Sequence, residues 1–137
     1  MSASVPQTVV LDTNALMMPV ELDVRLFDEL DRVFERVSPS EFELRVPQPV
    51  IAELRDLAAG GGEAGIAASV GQDLASDRCV SVTADATYAD DAVVELVESD
   101  RADYVVTNDA PLRDRVLDRG VPVISLRGSN TLAITEP

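Results

Sequence analysis

The sequence has no histidine, no lysine, no tryptophan and a single cysteine, Cys79. One cysteine cannot form an intramolecular disulfide, and without histidine no Cys/His metal site can be built. No apolar run approaches the roughly 20 residues that cross a bilayer, so no membrane association is expected. The first residues, Met1–Gln7, lack the basic start of a leader, and the apolar Val9–Leu11 is too short for a leader's core. These absences together point to a reducing, cytoplasmic setting. With 137 residues, 46% of them hydrophobic, the chain can bury one core without disulfides or structural zinc. A single domain over residues 1–137 is expected, with its core at about 8–126 and a tail at 127–137.

Charge of one sign is abundant. Twenty-five Asp and Glu face 11 basic residues, all arginine, for a net charge of −14. Such an excess keeps a protein soluble but strains the compact state by self-repulsion, a condition that halophiles exploit. At about 1 M salt the Debye length falls to about 3 Å, and repulsion between surface charges largely vanishes. Acidity combined with the lack of lysine points to a salt-adapted cell.

Strand and helix patterns alternate. Thr8–Leu11 is a β-rich apolar run ending at Asp12. Leu22, Leu26, Leu30, Val33 and Val37 recur at helical spacing, predicting one long amphipathic helix closed by Ser38-Pro39-Ser40. Leu44–Val46 reads as a short strand, and Pro49 suits the first turn of a helix that runs to Ala59. Gly60-Gly61-Gly62 separates it from a helix over Glu63–Ser76. Strand Cys79–Val82, helix Asp90–Glu98, strand Tyr104–Thr107, helix Pro111–Asp118 and strand Val121–Leu126 follow, with Asn130–Pro137 as a loose end. Alternation of this kind predicts an α/β protein with a parallel central sheet covered on both faces.

Ligands of such sheets collect beyond the carboxyl ends of the strands. Asp12-Thr13-Asn14 follows the first strand there, and Asn108-Asp109 follows Tyr104–Thr107. Glu53 lies one turn after Pro49, and Asp90-Asp91 open the next helix. Each has a plainer reading: Asp90, Asp91 and Asp109 could cap helices, Asp12 could close an Asx-turn, and Glu53 could face solvent. Jointly they aim four carboxylates at one sheet edge, where like charges repel unless a cation compensates. Oxygen donors without nitrogen or sulfur favour Mg²⁺, Mn²⁺ or Ca²⁺ over zinc.

The pieces Val10–Leu16, Val46–Leu54, Tyr88–Val94 and Val105–Leu112, in this order and on these elements, resemble PIN domains over about Thr8 to Leu126. The resemblance implies a three-layer α/β/α sandwich and an Mg²⁺- or Mn²⁺-dependent endoribonuclease. Position by position it makes Asp12, Glu53, Asp91 and Asp109 the catalytic acids, with Asp12, Asp91 and Asp109 on metal. Asp90 competes for the third place because the doublet leaves the register open. Asn14 and Thr107 match small polar positions that orient the first and last Asp. Arg55 and Arg113, with Arg115, are candidates for RNA phosphate, since the guanidinium fork suits it.

The doublet and the Thr107-Asn108-Asp109 run resemble archaeal and eukaryotic PIN proteins of ribosomal RNA processing more than VapC-type toxins. A homodimer is compatible with the same resemblance. A net charge of −14 opposes binding to RNA, so a protein or ribonucleoprotein partner is expected to deliver it. Rival readings are a toxin ribonuclease and a PIN fold that scaffolds without cleaving. A haloacid dehalogenase would need Asp where Asn14 stands, and no Gly-x-Gly-x-x-Gly follows the first strand for a dinucleotide.

Salt dependence is directly measurable. The melting temperature should rise from dilute buffer to molar KCl; equal stability across the series removes the salt-adapted reading.

Overall fold

The computed structural model describes residues 5–37 and 39–137. Met1–Ser4, part of the stretch read as no leader, and Ser38, the start of the expected helix stop, lie outside the described residues.

Strands β1 (Gln7–Leu11), β2 (Phe42–Pro47), β3 (Val80–Val82), β4 (Tyr104–Val106), β5 (Val123–Arg127) and β6 (Thr131–Thr135) form one sheet in the order β3-β2-β1-β4-β5-β6. Pairing from β3 through β5 is parallel, and β6 joins β5 antiparallel. Helices α1 (Thr13–Glu21), α2 (Leu26–Phe34), α3 (Gln48–Ala59), α4 (Gly62–Arg78), α5 (Ala89–Glu98) and α6 (Ala110–Asp118) supply the crossovers. Right-handed crossovers place α1–α4 on one face and α5 and α6 on the other. The result is the α/β/α sandwich that alternation predicted, around a sheet that is mixed at one edge.

β1 lies at the centre because its Val9, Val10 and Leu11 are wholly buried, which only a strand covered on both faces allows. From β1 the chain winds outward to β2 and β3 on one side, then returns to β4 and β5 on the other. The direction of winding therefore reverses between β1 and β4, and a crevice opens beyond their carboxyl ends. On the first face α4 packs against α1 and α3 through small residues. A Cβ on Gly71 would stand 3.0 Å from the Leu16 carbonyl oxygen and 3.2 Å from Leu54 Cδ2, so glycine sets this close approach. α3 also reaches α5 at the carboxyl end of the sheet.

Three sequence expectations are corrected. The long helix expected over Leu22–Val37 is shorter, α2 alone, and residues 22–25, where Asp23 adopts φ +54°, separate it from α1. The second correction is α1, read from sequence only as a turn after Asp12. Its Ala15, Leu16, Met17 and Met18 are all buried, so the segment has no polar face to display a helical period. Third, the supposed tail contains β6. Gly128 at φ +76° turns the chain, Leu132 is buried, and Glu29 accepts the Leu132 N–H at 2.8 Å while Arg32 donates to its carbonyl at 2.7 Å. α2 thus clamps an edge strand whose alternating Thr131–Thr135 is too short to announce itself.

Truncating Leu132 to Ala should therefore lower unfolding free energy by roughly 2–5 kcal/mol, as for other buried leucines. A chemical-denaturation midpoint unchanged in Leu132→Ala would restore the tail reading.

Candidate active site

Asp12 follows the last residue of β1, and Thr107 the last of β4; Leu11 and Val106 are register partners, so the two lie side by side. Asp12 is 3% exposed. One carboxylate oxygen accepts the Ala15 N–H at 2.7 Å, capping α1, and the other accepts the Thr107 hydroxyl proton. Burial pushes its pKa up to about 7 against these two hydrogen bonds, and the charges of Asp90 and Asp109 push the same way. The Asx-turn reading is thus half true: the side chain caps a helix and also stands among acids.

Asp109 occupies the N-cap position of α6 yet makes no capping bond with its side chain. Its backbone N–H donates to the Thr107 oxygen at 3.0 Å, so one hydroxyl holds the first and last aspartates of the group in relation. Asn14 accepts the Asn108 N–H at 2.9 Å, and Asn108 accepts the Leu126 N–H at 2.9 Å. These bonds tie the starts of α1 and α6 to the end of β5.

The Asp90-Asp91 doublet divides. Adjacent positions on a helix point about 100° apart, so only one can join the group. Asp90 is solvent-exposed but crowded: lost hydration, then the charges of Asp109 and Glu53, raise its pKa, while Arg115 acts the other way. Asp91 instead accepts from Arg115 at 3.0 Å. Glu53 reaches Asp90 because α3 packs on α5, and Asp90 links it electrostatically to Asp109 and Asp12. The two members of the doublet thus differ in surroundings: the charges of Asp109 and Glu53 bear on Asp90, while Asp91 is paired with Arg115.

The arginines also separate. Arg113 lies 3.7 Å from Asp114, and Arg115 is held by Asp91. Arg55 makes no ion pair among the described residues.

Two contributors escaped sequence reasoning. Asn108 was passed over between Thr107 and Asp109, although an amide directly after a buried strand was a local signal. Glu95 gave none: it accepts the Asp85 and Ala86 N–H groups at 2.9 Å each and so ties down the β3–α5 loop ahead of Asp90. Those backbone bonds hold its carboxyl below the usual range.

The donors fit a hard divalent cation by kind: oxygen throughout, negatively charged and mutually repelling. Beside Asp12, Thr13 also buries a hydroxyl that has no hydrogen-bond partner. Among the described residues no three carboxylates are drawn close enough to hold an ion between them, so the fit is one of donor type and charge.

The family model described as a PIN-like domain matches residues 9–129. Among solved structures, the chain is similar to the PIN domain endonuclease Utp24, with a TM-score of 0.74 and 24% identity, covering 96% of this chain and 93% of that one. It is also similar to a domain of a functionally unknown protein from Methanocaldococcus jannaschii DSM 2661, at TM-score 0.59 and 15% identity, over 90% of this chain and 94% of the other. No curated protein matches it. With a match that spans nearly the whole sheet and every acid at its edge, the chain belongs to the PIN-like domain family.

Proposed function

We propose that the protein is a divalent-metal-dependent endoribonuclease that hydrolyses RNA phosphodiester bonds, working in ribosomal RNA processing in the cytoplasm of a salt-adapted archaeal cell. The observation that carries the chemistry is the Thr107 hydroxyl that joins buried Asp12 to the backbone of Asp109 at the β1/β4 crevice, where the charge of Asp90 also bears on Asp12. Fold similarity to an endonuclease of known PIN type supports the reaction class.

In this reading Asp12, Asp90 and Asp109 would hold Mg²⁺ or Mn²⁺, which would acidify water and offset charge at the phosphate. Asp12 cannot swing, because two hydrogen bonds fix both its oxygens. Thr107 and Asn14 position the two strand-end loops that carry the acids. Glu53, on the exposed flank of α3, accepts the proton of the attacking water. The water oxygen joins phosphorus as the bond to the leaving ribose oxygen breaks, giving a phosphomonoester and a free hydroxyl. Arg115 is paired with Asp91 and restrains the doublet. With a net charge of −14 the protein holds RNA weakly by itself, and a protein or ribonucleoprotein partner presents the strand.

Cleavage of a labelled single-stranded RNA in Mn²⁺ distinguishes the acids. Asp12→Asn should remove measurable cleavage, Asp90→Asn should lose at least about 100-fold, and Asp91→Asn about tenfold or less. Equal losses at positions 90 and 91 would return the register to ambiguity, and cleavage retained by Asp12→Asn would sink the assignment.

Stability against pH offers a test independent of activity. In the fold Asp12 has a pKa near 7, against 3.8 for a free aspartate. The unfolded chain therefore loses this proton first, and stability falls as pH rises from about 4 to about 7, then levels off. In chelator, Asp12→Asn should exceed the native chain in unfolding free energy at pH 8 by on the order of a few kcal/mol, with the advantage shrinking towards pH 4. Added Mn²⁺ should raise the melting temperature of the native chain and leave Asp12→Asn unmoved; the opposite order of pH effects contradicts a buried, uncompensated carboxylate.

A further inference from the structure

Beside the acids, α3 forms one wall of a cavity of about 550 Å³, inside the range of small-ligand sites. Gln48, Ile51, Ala52 and Arg55 recur at helical spacing along this wall. Ser81 of β3 and Ala86 and Thr87 of the β3–α5 loop line it from the other side. The elements that line the cavity also carry two of the acids: Glu53 follows Ala52 on α3, and Asp90 follows Thr87 by three residues. Glu95 keeps the loop wall in place through its bonds to Asp85 and Ala86.

Three properties identify an occupant. Ile51, Ala52 and Ala86 offer an aliphatic surface for a flat ring, and Gln48, Ser81 and Thr87 offer hydrogen bonds to its edge. Arg55 is the one cation that lines the cavity, and it has no ion-pair partner among the described residues. A guanidinium left unpaired on the cavity wall suits a phosphate that arrives with the substrate. A base paired in a duplex could not enter such a cavity, whereas one splayed from a single strand could.

We propose that this cavity receives one nucleotide of a single-stranded nucleic acid, adjacent to the phosphate being cleaved, with Arg55 on its backbone phosphate. The assignment rests on the nuclease reading for its place in the reaction, but binding can be measured without cleavage.

The full chain is titrated into fluorescently labelled RNA hexamers, with Ca²⁺ replacing Mn²⁺ so that the strand stays whole, and anisotropy is followed. Arg55→Gln should weaken binding by about tenfold, and Ser81→Trp, which fills the cavity without altering charge, by a similar factor. Arg36→Gln removes an equal charge elsewhere and should leave affinity unchanged; melting curves establish that each variant folds. DNA hexamers of matching sequence separate the two sources of a nucleotide: equal affinity assigns base and phosphate contacts alone, and tighter RNA adds the 2′-hydroxyl. If Arg55→Gln and Ser81→Trp bind like Arg36→Gln, or the native chain binds neither strand, the cavity is no nucleotide site, whatever the cleavage assay shows. If both variants lose affinity while the native chain never cleaves RNA in Mn²⁺, the subsite stands and the nuclease reading fails.

Discussion

A single carboxylate buried where β1 ends beside β4 constrains everything around it. Removing Asp12 from water is costly, and the cost is tolerated because the side chain accepts from the Ala15 N–H and the Thr107 hydroxyl at once. Each bond also sets a piece of backbone. The first starts α1 immediately after the strand, and the second draws in the loop that carries Asp109. Asn14, Asn108 and the Leu126 N–H repeat the link one residue further on. The acidic edge is thus stiff at its centre, on β1 and β4, and open at its rim, where Glu53 and Asp90 stand on helices.

The distribution of positive charge follows the same division. Arg32, Arg45, Arg101, Arg113, Arg115 and Arg119 all stand beside carboxylates on the surface. Pairs so exposed add little stability each, and more salt weakens them further. Their consequence is local: they neutralise acids elsewhere, and Arg115, the cation that acts on Asp90, is itself paired with Asp91. A carboxylate whose pKa is displaced to about 7 by burial and by like charges gains most from a bound cation. Arg55, which has no ion-pair partner among the described residues, stands instead on the wall of its cavity.

Much was legible in the sequence because it was encoded locally. Apolar runs bounded by Asp marked β1 and β4, Pro49 marked the start of α3, and the rule that ligands gather at the carboxyl edge nominated Asp12, Glu53 and Asp109 as well as the doublet. Where the periodic signal was weak the reading failed: α1 is buried nearly all round, β6 is a five-residue strand, and the break at Asp23 depends on one backbone angle.

By itself, then, the sequence determined the alternation of elements, the excess of negative charge and which acids could reach the sheet edge, since each depends on residue type and spacing along the chain. The tertiary structure decided that Asp91 pairs with Arg115 while the charges of Glu53 and Asp109 bear on Asp90, that Asp12 is buried, and that Arg55 makes no ion pair among the described residues while Arg113 and Arg115 do. Those choices depend on how α3 packs against α5 and α5 against α6, and a charge meets its neighbours only after distant segments have come together.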